Sequence, residues 1–111
     1  MIKVKNITDE TYQQHSILFE KQSITVELRF LPQVERWMLS ASFKGRSVTG
    51  IFLSLGVLHV NNSLFPFDFI VKESSGTGID PFKADDFTSR CTLYMLEAQD
   101  MIDIRGLPVA I

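Results

Sequence analysis

Apolar and polar residues alternate from Ile24 to Phe30: Ile24, Val26, Leu28 and Phe30 fall on one face, Thr25, Glu27 and Arg29 on the other. A period of two predicts a strand with one solvated face. The pattern resumes beyond Leu31-Pro32-Gln33, where Trp37, Leu39, Ala41 and Phe43 oppose Arg36, Met38, Ser40 and Ser42. Pro32 has no backbone N–H and a fixed φ, so it belongs in the connection. The two strands are predicted to be antiparallel neighbours.

The same reading extends along the chain. "HSILFE" (His15 to Glu20) predicts a short strand before Ile24. Lys44-Gly45-Arg46 predicts a tight turn, and the following Val48, Ile51, Phe52, Leu53 and Leu55 occupy both faces, which predicts a central strand covered on both sides. Gly50 inside it calls for a bulge, a bend or a close backbone approach. Val60 to Ser63 marks another turn. Phe65, Phe67, Phe69 and Val71 share one face of the next strand, which Pro66 places at an edge. "SSGTGIDPF" (Ser74 to Phe82) reads as a flexible loop, and Asp80-Pro81 could open a single helical turn. The last strong strand has Cys91, Leu93 and Met95 on one face and Thr92, Tyr94 and Leu96 on the other. The sum is an all-β fold, a small antiparallel β-barrel or sandwich of six to eight short strands with at most one short helical turn.

Composition sharpens this picture. A chain of 111 residues with 45% apolar and 22% charged residues is expected to form a single β domain over residues 1–111. Nine Phe beside one Trp and two Tyr favour a pleated, half-buried surface. The net charge of −2 comes with no clustering of Lys and Arg, which argues against nucleic acid as a partner. No apolar run approaches a membrane span, and the start lacks the apolar core of a signal peptide, so folding in a reducing cytoplasm is expected. Residues 1–10 and 101–111 are apolar for terminal segments and are candidates for docking onto a partner.

The search for chemistry finds little. Cys91 is the single cysteine, which rules out an internal disulfide and a cysteine-based zinc cage. In the apolar run around it, a buried inert thiol is the direct reading. His15 and His59 are the only histidines; with Asp68 they would have to converge to bind a metal. Asp85-Asp86, near Asp80, lacks the alternating ligand spacing of a calcium loop. Gly76-Thr77-Gly78 lacks the Lys-Ser/Thr of a phosphate loop. Trp37 reads as a core residue, and Phe65, Phe67 and Phe69 have no interleaved basic residues that would make them a base-stacking platform. No catalytic set, cofactor or metal site is predicted.

The order of these elements resembles the small baseplate plug proteins of contractile-tailed bacteriophages. In that family a strand ending in an aromatic leads through a short turn to a Trp strand, then a polar turn, a G-I-x-L-x-x-G segment and an L-Y strand. Here these are Phe30, then Trp37 with Leu39, then Gly50, Ile51, Leu53 and Gly56, and finally Leu93 with Tyr94. The resemblance covers roughly residues 16 to 100. Two places depart from it: Leu31-Pro32-Gln33 stands where an Asn-containing turn is more usual, and "DDFTSR" replaces a more usual Leu-Gly.

The resemblance implies a structural virion protein at the centre of the tail baseplate, contacting hub, tail tube and wedge proteins and further copies of itself. No catalytic residue carries over. Expected contacts lie at the termini and the polar loop: Ile2, Val4, Gly76, Gly78, Asp85, Asp86, Leu107 and Val109. The alternative is a non-enzymatic β-barrel that binds a peptide or small ligand.

Overall fold

The structure is a computed structural model and describes residues 1–60 and 65–105. Among these, seven strands form two sheets: β1 (Ile2–Lys3), β2 (Tyr12–Phe19), β3 (Gln22–Leu31), β4 (Arg36–Phe43), β5 (Arg46–Phe52), β6 (Asp68–Glu73) and β7 (Cys91–Leu96). A 3-10 turn spans Asp86–Thr88, and helix α1 spans Ala98–Arg105. The four-stranded sheet has the order β2-β3-β4-β5 and the three-stranded sheet β1-β7-β6, every ladder antiparallel.

The larger sheet is a meander whose register follows from its turns. Glu20 and Lys21 join β2 to β3 with φ of 48° and 68°, and Lys44 and Gly45 join β4 to β5 with 51° and 77°. Two consecutive left-handed residues match the twist of the flanking strands and fix the pairing. Phe19 therefore pairs with Gln22, and Phe43 with Arg46. Pro32 lies in the turn between β3 and β4, and Phe30 pairs with Trp37.

The alternating residues meet the second sheet as predicted. Ile24, Val26, Leu28, Trp37 and Leu39 are fully buried, as are Phe69, Val71, Leu93 and Met95 opposite them. Phe67 sits at the middle of an aromatic cluster, with ring centroids 5.3–5.8 Å from Phe19, Phe43, Phe65 and Phe69. Burying each large apolar side chain contributes about 2–3 kcal/mol. The layers are thus held by their facing sides.

Several elements differ from the sequence reading. β5 is an edge strand, most of it exposed, and not a central strand; the apolar residues after it serve another purpose, since Leu53 turns into the core and Leu55 bridges Val71 in parallel beside β6. Phe65 and Phe67 pack in the core, but β6 begins only at Asp68. The helical turn falls at Asp86–Thr88 and not at Asp80-Pro81. Residues 102–105, expected to extend or dock as a strand, lie in α1. There the Asp100 carboxylate accepts from the Glu97 N–H at 3.1 Å, a local cap that favours helix over extension. The Asn61 to Ser63 part of the expected turn, Leu64, and Leu107 and Val109 lie outside the described residues.

Gly50 meets its expectation directly. Leu39 pairs with Ile51 but Ala41 with Val48, so Thr49 and Gly50 together oppose Ser40, a bulge. Gly50 has φ of 68°, and an added Cβ would lie 3.3 Å from Met38 Cε.

Candidate interaction surface

Pairing of β6 with β7 sets Glu73 opposite Cys91, which brings Glu73 beside Arg90. Arg90 Nη1 contacts Glu73 Oε2 at 2.7 Å and Nη2 contacts Asp86 Oδ2 at 3.1 Å. The same guanidinium donates to the carbonyls of Ile79 (2.7 Å) and Asp80 (2.8 Å) and lies over the Phe82 ring. One cation thereby gathers two carboxylates and two loop carbonyls. A planar guanidinium suits this because its donors diverge in a fixed fork.

Glu73 also accepts from Ser75 Oγ (2.8 Å), Thr77 Oγ1 (2.9 Å) and the Gly78 N–H. The hydrogen bond from Ser75, joined by those from Gly78, Thr77 and Arg90, outweighs desolvation and lowers the Glu73 pKa to about 2. For Asp86, burial opposes ionisation, but N–H donors from Phe82 (2.7 Å) and Lys83 (2.9 Å) together with Arg90 hold its pKa below the usual carboxylate range. The loop from Ser74 to Phe82, expected from its glycines to be flexible, is therefore pinned, and with the residues through Ser89 it forms a rim. Trp37 Nε1 donates to Lys83 O at 2.9 Å, and Asp80 Oδ1 accepts from the Leu55 N–H, so the rim is tied to both layers.

The predicted contact residues fall into distinct places. Gly76, Gly78 and Asp85 are exposed on the rim, and Ile2 is exposed on β1. Val4 and Asp86 are spent inside the chain: Val4 packs in the core and donates its N–H to Leu93 O at 2.9 Å, and Asp86 is 3% exposed under Arg90. The fold-defining set sits in or against the core: Trp37, Leu39, Leu53 and Leu93 are buried, while Phe30 and Ile51 pack on its margin. Tyr94 is half-buried on the other face, under Lys72. Gly56, with φ of 70°, donates its N–H to Val71 O at the edge of β6.

Polar residues outside those expectations hold the connections. His59 Nε2 accepts from the Ser54 N–H at 2.8 Å while Nδ1 donates to Phe69 O at 2.9 Å, so its two nitrogens fix the tautomer and close the crossover into β6. Asp68, 1% exposed, accepts from the N–H groups of Val60 and Phe69 at 2.7 Å. His15 Nε2 lies 2.8 Å from Gln13 Oε1, and burial lowers its pKa. Burial likewise raises the Cys91 thiol to about 11. No group of three or more His, Cys, Asp or Glu is placed to hold a metal among the described residues. Strand edges and the pinned rim are exposed among the described residues.

A family model described as cyanophage baseplate Pam3 plug gp18 matches residues 1–98. The chain belongs to this baseplate plug family. Among the curated proteins none matches it. A baseplate plug is a structural part of a phage tail baseplate, and that role accords with a surface of edges and tied loops. The match runs from β1 through β7 and includes the Arg90 rim, so the parts of this plug protein that hold its shape lie within the matched residues.

Proposed function

We propose that this plug protein sits on the axis of a contractile-tail baseplate, beside the hub and the end of the tail tube, and acts by contact with hub, tube and wedge proteins and with further copies of itself. The family match over residues 1–98 carries this reading. The architecture supports it, because exposed β2 and β5 edges offer backbone donors and acceptors to other chains. Assembly begins in the host cytoplasm. The contact set comprises the exposed Ile2 on β1 and Gly76, Gly78 and Asp85 on the rim, together with Leu107 and Val109, which lie outside the described residues. Closed cyclic symmetry is the default arrangement for identical copies.

Fractionation of purified particles tests the reading. The protein should co-purify with tails and with isolated baseplates, and density for it should lie on the tail axis. Absence from purified tails, with the protein recovered only as a free monomer, would overturn it.

A further inference from the structure

The two sheets are linked by the segment that follows β5. After β5 the chain crosses to flank β6: Leu55 bridges Val71, Gly56 N–H donates to Val71 O, and His59 N–H donates to Phe69 O. The segment from Leu55 to His59 thereby joins the smaller sheet, while β5 itself stays an edge. On the opposite side, between β1 and β2, no ladder forms among the described residues. A groove of about 480 Å³ lies there instead, lined by residues 2–6 and 14–18.

Both walls of this groove present unpaired backbone. Thr11 O accepts from the Phe30 N–H, and Phe19 and Gln22 close the two-residue turn, so odd-numbered residues of β2 bond to β3. Gln14, Ser16 and Leu18 consequently aim their N–H and C=O groups at the groove. Across it, Val4 bonds to Leu93, which turns the backbone groups of Lys3 away from β7 and toward the same space. The lining carries Lys3, Lys5 and His15 and no carboxylate, with Ile2, Ile17 and Leu18 as apolar ground. Leu18 is 71% exposed, unusual for a leucine on a strand edge.

We propose that this groove accepts an extended strand from a partner chain, apolar at alternating positions and flanked by carboxylates, which bridges β1 and β2. The inserted strand satisfies backbone groups on both walls, covers Ile2 and Leu18, and sets its acidic flanks against Lys3 and Lys5. The inference rests on the plug protein working by contact, and it makes this chain the acceptor of a strand as well as a donor of edges.

The test uses the full chain and two short blocked peptides of alternating Val and Thr, one flanked by Glu and one by Lys. Amide exchange and backbone chemical shifts are followed at Gln14, Ser16 and Leu18. The Glu-flanked peptide should protect these amides, and the Lys-flanked one should bind roughly tenfold or more weakly. Lys3→Glu with Lys5→Glu, both exposed positions, should reverse that preference. Ser16→Pro should abolish protection while keeping the circular dichroism of the fold, since the Ser16 N–H takes no part in the β2–β3 ladder. Failure of both peptides to protect the groove, equal affinity for the two, or an unchanged preference in the Lys variant would overturn the proposal. So would slow exchange of these amides before peptide is added, whether from a second copy or from residues 106–111. None of these outcomes bears on co-purification with tails, so the baseplate reading stands or falls separately.

Discussion

The indole N–H of Trp37 donates to the Lys83 carbonyl at 2.9 Å, joining residues 46 positions apart. The indole also stacks edge-on against Phe87, with centroids 5.5 Å apart. A core side chain on β4 thus anchors the rim that the other sheet carries.

Trp37→Phe should keep most of the packing but leave the Lys83 carbonyl with the Asp86 N–H as its remaining donor, so that the lost bond and the smaller ring together cost about 2 kcal/mol. Trp37→Ala should remove about 4 kcal/mol. Urea unfolding followed by circular dichroism measures both, because Trp37 is the only tryptophan and its fluorescence is lost with it. A Phe variant as stable as the parent would mean that the bond to Lys83 contributes nothing.

Arg90 ties the same rim together from within. Arg90→Met keeps an apolar stem over Phe82 but strips Glu73, Asp86 and the carbonyls of Ile79 and Asp80 of their shared donor. The sheets should survive and the rim should open. Amides from Ser75 to Lys83 are expected to exchange roughly tenfold faster or more, with β3 and β4 little changed. A uniform acceleration across the whole chain would show that the rim and core unfold together.

The same cluster sets an acid limit. Glu73 has its folded pKa lowered from 4.5 to about 2, and that of Asp86 is lowered as well. A lowered folded pKa gives stability that is present above the unfolded pKa and is lost as pH falls through the folded one. The urea midpoint should therefore hold from neutral pH to about 5 and fall between 4.5 and about 2. Glu73→Gln should start lower at neutral pH and decline less over that window. Parallel curves for parent and variant would remove Glu73 from the account.

The sequence made the core legible because burial there follows a simple period. Ile24, Val26 and Leu28, then Trp37, Leu39 and Ala41, alternate cleanly, and each is buried as its spacing implies. Position within a sheet was harder to read: apolar residues on both faces from Val48 to Leu55 suggested a central strand, whereas the chain bends at Gly50 and uses Leu53 and Leu55 for the crossover. The rim was hidden for a different reason. Glu73, Asp86 and Arg90 are common surface residues; Asp86 and Arg90 are four positions apart, but only the β6–β7 register brings Glu73 to them. Gly76 and Gly78 signalled freedom, but the Glu73 carboxylate between their neighbours removes it.

Gly50 separates backbone demand from space. Gly45 and Gly50 both have positive φ, 77° and 68°, so alanine at either should cost about 1 kcal/mol from backbone strain. At Gly45 a new Cβ meets nothing within 4 Å, while at Gly50 it meets the end of the Met38 side chain at 3.3 Å. Met38 is flexible and half-buried on the outer face, so it can shift by a few tenths of an ångström and the added cost should be small. The two variants are therefore expected to lie within about 0.5 kcal/mol of each other in urea unfolding. Valine should separate them: its branched side chain at Gly50 has Met38 to displace, whereas at Gly45 it has open solvent. Equal losses for the two valine variants would show that the bulge yields as a whole and that Met38 does not hold it.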